Sequence, residues 1–289
     1  MPQGWSPFLI NFGSTKIPVM SKISKALKAV SRIIQKPWLL NKVLEEEEPW
    51  KRYVEEKFNL AQGFPVVRPE VIFGDFSETV SPFSCLDGGS NPIDLALLKK
   101  LARTIPHCNY FEIGTWRGES VANVAQVADE CVTINLSREE MENMHLGEQY
   151  IDQHRLFSNE LSNVKHIEGN TQTFDFSSLN QKFDLIFIDG DHRFDMVKND
   201  TRKVFEHLVH DKSIVVWHDY SRNQECIRYE VLAGILEGCP ERFQRNIRHV
   251  AHTICAVYFP EVIPGAGKET LTVPEGFFTI RFDYTKKEG

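Results

Sequence analysis

From Asn109 to Trp217, short apolar runs alternate with amphipathic stretches of helical period, and this rhythm constrains the fold more than any other feature. Asn109–Ile113, Cys131–Leu136, Val164–Ile167, Phe183–Ile188 and Ser213–Trp217 read as strands. Between them, Glu119–Ala128, a long polar stretch from Arg138 to Leu161, and Met196–Val209 read as helices. Apolar strands separated by helices call for a parallel sheet buried between two helical layers. The predicted class is therefore α/β, a Rossmann-like doubly wound and mostly parallel sheet. Another helix precedes the first strand at Pro92–Thr104, with Ser90-Asn91 as its N-cap and Pro92 in its first turn. After Trp217 the rhythm changes. His252–Phe259 and Phe277–Tyr284 read as an antiparallel hairpin closing one sheet edge, which brings the expected total to seven strands.

Charge and cysteine usage narrow the function classes. Forty acidic side chains against 33 basic ones give a net charge of -7, a surface that repels phosphate backbones, so nucleic acid is not expected as a partner. Cys85, Cys108, Cys131, Cys226, Cys239 and Cys255 form no CxxC pair and no metal-ligand spacing, which points to a reducing compartment. With neither a signal-peptide pattern nor a membrane-length apolar run, the expected location is cytoplasmic.

Residues 1–60 read as an N-terminal helical extension and 61–289 as the main domain. Lys16 to Lys42 hold seven basic side chains and no acidic one. Ile23, Leu27, Val30 and Ile34 recur at helical spacing, with Lys22, Lys25, Arg32 and Lys36 opposite them. Such a helix either docks on the main domain or lies on an anionic membrane surface, and docking is the commoner fate.

The most informative segment is Phe111-Glu112-Ile113-Gly114-Thr115-Trp116-Arg117-Gly118-Glu119-Ser120, where the first strand gives way to a helix. In a doubly wound sheet that turn receives a nucleotide-type ligand. Gly114 suits a tight turn and Gly118 a close passage into the helix. The spacing is E-x-G-x-x-x-G-x-S and not the G-x-G-x-x-G that cups a pyrophosphate. A carboxylate at Glu112 suits a cationic amine, and the helix start with Ser120 suits a carboxylate.

Here the sequence resembles the first motif of class I S-adenosylmethionine-dependent methyltransferases, nearest to the catechol O-methyltransferase-like and bacterial small-molecule O-methyltransferases. The resemblance runs from about Asn91 to Tyr220. It implies that Glu112, Gly114, Thr115, Trp116, Gly118 and Ser120 hold the amino-acid end of S-adenosylmethionine. Where the family carries an acidic residue for the ribose, this chain has Asn135, with Ser137 and Glu139 nearby to share the role. Where the family often has Gly-Asp, Gly169-Asn170-Thr171 stands, with Asn170 and Thr171 toward the adenine and Phe174 available to stack on it. Asn135 supplies one uncharged acceptor oxygen in place of a carboxylate.

Phe187-Ile188-Asp189-Gly190-Asp191-His192 ends the fourth strand and Trp217-His218-Asp219-Tyr220 the fifth. In the expected strand order these ends are neighbours. Methyl transfer to a hydroxyl needs its proton removed, so Asp189, His192, His218 and Asp219 are the catalytic candidates. Metal-dependent members of the family place Asp at the positions of Asp189 and Asp219, whereas His218 departs from the first residue of their pair. Two versions follow: Asp189, His218 and Asp219 bind Mg²⁺ or another divalent metal, or no metal binds and His192 or His218 is the general base. The resemblance implies a small-molecule or saccharide acceptor and a homodimer. Two other readings stand beside it. One is a non-catalytic S-adenosylmethionine-binding protein, suggested by Asn135 and Asn170. The other is a metal-dependent nucleotide-sugar glycosyltransferase using Asp189-Gly190-Asp191.

Overall fold

The structure is a computed structural model and describes residues 21–36, 47–86, 88–223, 226–266 and 278–283. The chain divides after residue 46 into two units. In the smaller one, helix α1 (Lys22–Gln35) starts at Ser21, whose hydroxyl accepts from the Ser24 amide, and it has no buried residue. Among the described residues no helix is long and apolar enough to cross a membrane.

The larger unit begins with α2 (Glu47–Phe58), β1 (Val66–Val67), α3 (Pro69–Phe73) and α4 (Pro92–Thr104). There follow β2 (Asn109–Ile113), α5 (Glu119–Val124), β3 (Glu130–Asn135), α6 (Arg138–Asn143), α7 (Glu148–Asp152) and β4 (Val164–Glu168). A 3₁₀ turn at Phe176–Leu179 leads to β5 (Leu185–Ile188), α8 (Phe194–His207) and β6 (Ile214–Trp217). The last elements are β7 (Ser221–Asn223), β8 (Cys226–Ile227), α9 (Tyr229–Gly238), α10 (Glu241–Gln244), β9 (Ile247–Val250) and β10 (Ala256–Tyr258).

Eight strands form one sheet in the order β1-β9-β10-β6-β5-β2-β3-β4, and β10 runs antiparallel to both its neighbours. The central strands β2 and β5 are buried along nearly their whole length, as their apolar sequences require. Alternate residues feed two cores. Phe111, Ile186 and Val215 face Val197 and Val204 of α8 and Leu232 of α9. Tyr110, Leu185 and Val216 face Leu97 and Leu101 of α4 and Val121 of α5. Helices on both faces of a mostly parallel sheet are the expected Rossmann-like arrangement.

Four details differ from the sequence expectation. The antiparallel edge pair is β9 with β10, so Ala256–Tyr258 pairs with an earlier segment and not with the tail. The apolar alternation of β9 is hidden by Arg248 and His249, which are nonetheless buried because carbonyl oxygens satisfy them. Residues 278–283 form no strand, while Phe277 and Tyr284 lie outside the described residues. The stretch read as one helix from Arg138 is two short helices, because His145 takes a left-handed conformation (φ 58°) and Gly147 caps α7. A further two-residue strand, β1, extends the sheet beyond the seven expected strands. Finally, the extension expected to reach residue 60 ends sooner. Helix α2 lies within the larger unit, with Val54 fully buried and Trp50 stacked on Phe194 at 4.8 Å.

Candidate active site

Strand order reverses at β2, which has β3 on one side and β5 on the other, and such a switch point opens a crevice at the carboxyl ends of the strands. A cleft of about 860 Å³ lies there, within the range of small-molecule sites. It is lined by Gly114, Thr115, Trp116, Gly118, Ser120, Asn135, Asn170, Thr171, Asp189, His192, His218 and Asp219. The folded chain thus gathers into one cleft residues that the sequence spreads over five strand ends.

The first turn is built on two glycines. Gly114 has φ 90°, and a Cβ on it would fall 2.0 Å from the carbonyl oxygen of Asp189, so the ends of β2 and β5 touch there through backbone alone. Gly118, at φ 79°, would meet the Ser158 hydroxyl at 2.2 Å. Thr115 is fixed from below by a 2.6 Å hydrogen bond between its hydroxyl and that of Thr133. Trp116 lies between the Arg117 guanidinium, 4.3 Å from its ring centroid, and the Tyr150 ring at 5.0 Å. Arg117 is itself buried and paired with Glu119 at 3.1 Å.

Two residues expected at the cofactor do not line the cleft. Glu112 is fully buried beneath the turn, where the Tyr110 hydroxyl donates to it at 2.6 Å. Burial pushes its carboxyl up to about 8, against the lowering effect of the Tyr110 and Ser120 hydroxyls. Glu112 therefore stands behind the turn, outside the cleft lining. Ser137 caps α6, its hydroxyl accepting from the Glu140 amide and donating to the Glu140 carboxylate.

At the ends of β3 and β4, the Asn135 side-chain oxygen accepts from the Thr115 amide at 3.3 Å, and its amide group contacts His154. The Asn170 side-chain oxygen accepts from the Gln172 amide at 2.9 Å, keeping one lone pair for another donor. Below it lies Asp200, a residue the sequence reading missed. It is buried, bonded to Asn199 at 2.9 Å, and raised by burial to about 6. Its place one helical turn beyond Met196 gives it no pattern of its own.

The far end of the cleft holds a charge cluster. His218 Nδ1 donates to Asp189 and Asp219, each at 3.0 Å, and Nε2 to Asp94 at 3.4 Å. Burial disfavours the charged ring, yet the charge of Asp189 and the bonds to Asp189, Asp219 and Asp94 prevail and hold it well above the usual histidine range. With carboxylate oxygens at both ring nitrogens, both nitrogens must carry protons. Asp219 is half-buried, which alone would raise its carboxyl, but His218, His192 and Arg228 hold it far below the usual range. Arg228 Nη1 lies 3.0 Å from Asp219 Oδ1, and His192 Nε2 lies 3.2 Å from Oδ2. Asp219 adopts φ 53°, a left-handed conformation uncommon for a side-chain-bearing residue.

Asp94 completes the cluster and was also missed. It sits in the capping box of α4 and is fully buried, and its other oxygen accepts from the Ile254 amide at 3.0 Å. Asp191, by contrast, is held by Arg193 in a two-pronged pair at 2.8 and 2.5 Å. Asp189, His218 and Asp219 offer ligand atoms within 4.8 Å of one another, as do Asp94, His218 and Cys255. Neither set fits Mg²⁺, which selects oxygen donors. The shared third donor is an imidazole whose two nitrogens already donate protons to carboxylates.

Residues 111–220 match the family model described as a methyltransferase domain, a span that runs from β2 to the residue after the His218-Asp219 pair. A search of curated proteins by sequence returns no match. Three solved structures illustrate the similarity. An O-methyltransferase from Bacillus cereus in complex with S-adenosylhomocysteine shares 15% identity at a TM-score of 0.43, over 74% of this chain and 99% of that one. The O-methyltransferase TomG from Streptomyces achromogenes, in complex with S-adenosylmethionine, shares 16% at 0.42, over 77% and 99%. The S-adenosylhomocysteine-bound Podospora anserina methyltransferase PaMTH1 shares 17% at 0.42, over 83% and 98%.

Proposed function

We propose, from the match of residues 111–220 to a methyltransferase-domain model, that this protein is an S-adenosylmethionine-dependent O-methyltransferase acting on a small molecule without Mg²⁺. One observation carries the reading. The Gly114–Gly118 turn at the switch point and the His218–Asp189–Asp219–His192 cluster line one cleft, inside the matched domain. The residues fit the donor in kind. The glycine-built turn lets the ends of β2 and β5 meet at the cleft, and Asn135, Asn170 and Thr171 line it where the nucleoside would lie.

When bound, S-adenosylmethionine supplies an electrophilic methyl on a sulfonium. The chain's part is to position a hydroxyl and take its proton. His218 is unsuited to be the base, because its protons are committed to three carboxylates. His192 is suited: its ring is more than a third exposed and its Nε2 lies 3.2 Å from Asp219 Oδ2, so Nδ1 is the nitrogen placed to accept a proton. Asp219 stays ionised, orients that ring and stabilises it once it is charged. Asp189 contacts the same His218 nitrogen as Asp219 through one oxygen, and its other oxygen is the one to receive the acceptor hydroxyl. Trp116, Tyr150 and Met196 along the cleft favour an acceptor with an apolar or ring face.

No observation favours the readings set beside this one. The glycosyltransferase reading needs Asp191 free for a metal, whereas Arg193 holds it. Calorimetric titration with S-adenosylhomocysteine, with a nucleoside diphosphate plus Mg²⁺ as control, tests the assignment. Micromolar binding of S-adenosylhomocysteine irrespective of Mg²⁺ is expected. Binding of the nucleotide alone would overturn it.

A further inference from the structure

We propose that α1 (Lys22–Gln35) docks this protein on the surface of an anionic lipid bilayer. The helix carries a continuous apolar stripe along one face. Ile23, Leu27, Val30 and Ile34 are 75, 67, 55 and 73% exposed, the largest such group among the exposed apolar side chains. A single exposed leucine needs no explanation, but four on one helical face mark an interaction surface. The stripe is bordered by Ser24 and Ser31, and the remaining circumference carries Lys22, Lys25, Lys28 and Arg32, with no acidic residue in the helix.

Length and charge select the occupant. Fourteen residues rise roughly 21 Å, too short to span a hydrocarbon layer, and the stripe covers one side only, so the helix suits the plane of an interface. Basic side chains at its flanks can lay their methylene stems along the acyl boundary and raise their charged ends to phosphate groups. The whole chain has a net charge of -7, so a bilayer with negative headgroups repels the rest of the protein. Attraction to such a surface must come from this one segment, whose side chains from Lys16 to Lys42 are basic and never acidic. A bilayer-bound site would meet acceptors that partition into, or are delivered from, the membrane surface.

The test is co-sedimentation of the full chain with vesicles of phosphatidylcholine alone and of phosphatidylcholine with about one third phosphatidylglycerol. The protein is expected to pellet with the anionic vesicles, to stay in solution with the neutral ones, and to be released by raised salt. The double variant Leu27→Glu/Ile34→Glu is expected to lose at least tenfold in vesicle binding while keeping the parent's S-adenosylhomocysteine affinity. Lys25→Glu is expected to weaken binding about fivefold, or more because it also reverses the sign. Failure of the parent to pellet would overturn the proposal, as would undiminished pelleting of the double variant. If the double variant instead converts a dimer to a monomer in sedimentation velocity without vesicles, the stripe is a self-association face and the proposal falls.

Discussion

Both ring nitrogens of His218 face carboxylates, and in the proposed mechanism proton acceptance falls to His192, its neighbour across Asp219. His192→Gln is therefore expected to lower kcat by roughly 10²–10⁴. S-adenosylhomocysteine affinity should stay close to the parent's, as initial rates and calorimetry on one preparation would reveal. A protonated His218 ring also balances the charge of Asp189 and Asp219 without a divalent ion. Chelator should leave turnover unchanged, and His218→Asp should make both Mg²⁺ binding and turnover depend on the ion; loss of parent activity in chelator would contradict this. Glu112 offers a test by stability. Its carboxyl is raised to about 8 in the folded protein from 4.5, so across that window the folded state keeps a proton that the unfolded chain releases. Stability from this group consequently falls as pH rises from 4.5 to 8, by a few kcal/mol at most. Glu112→Gln should match the parent in thermal unfolding near the bottom of the window, exceed it at the top, and bind S-adenosylhomocysteine comparably. A variant that loses the ligand would restore Glu112 as an ammonium partner. The candidates at the strand ends were legible because polar residues directly after apolar runs stand out. Asp94 was not legible, since its partner His218 is 124 residues away and its capping position already accounts for it locally.

At the scale of elements, the strand–turn–helix at Gly114 is where sequence and geometry agree most closely. Gly114→Ala would put a methyl group 2.0 Å from the Asp189 carbonyl at a positive φ. Parting β2 from β5 should cost roughly 2–4 kcal/mol in urea unfolding and reduce S-adenosylhomocysteine binding at least tenfold. Gly147→Ala is the control. Its φ is -64°, and no atom lies within 4 Å of the added carbon, so a change of only about 1 kcal/mol or less is expected, the cost of a poorer cap. Comparable losses in both variants would show that the Gly114 contact is not special. The central strands could be read because they are buried on both faces and so must be apolar. The edge strand β9 escaped because Arg248 and His249 are satisfied by carbonyls from residues 245, 247, 253 and 263, contacts that no local pattern announces. The single long helix read from Arg138 failed for the opposite reason. Its polar composition suited a helix, while a left-handed His145 and the Gly147 cap divided it.

For the molecule as a whole, the boundary between units decides what a minimal enzyme must contain. Composition placed the break near residue 60, where the acidic run and the following loop end the extension. Packing places it after residue 46. Helix α2 supplies Val54 to the same core as Val197 and Leu232, and Trp50 stacks on Phe194 at the start of α8, the helix that follows Asp189 and His192. Tyr53 adds a 2.6 Å hydrogen bond to Glu237 of α9, and Glu47 accepts from the Tyr229 amide at 2.7 Å. Deleting residues 1–46 is therefore expected to preserve the unfolding midpoint and S-adenosylhomocysteine binding. Deleting 1–58 exposes the faces of α8 and α9 and removes the buried Val54 and the rings of Trp50, Tyr53 and Phe58, a loss of at least roughly 3–5 kcal/mol. Thermal unfolding of the two truncations side by side separates these positions. Equal midpoints would make α2 part of the dispensable extension, whereas a lower midpoint only for the longer deletion makes it a wall of the catalytic core, pinning the helix that carries the His192 loop.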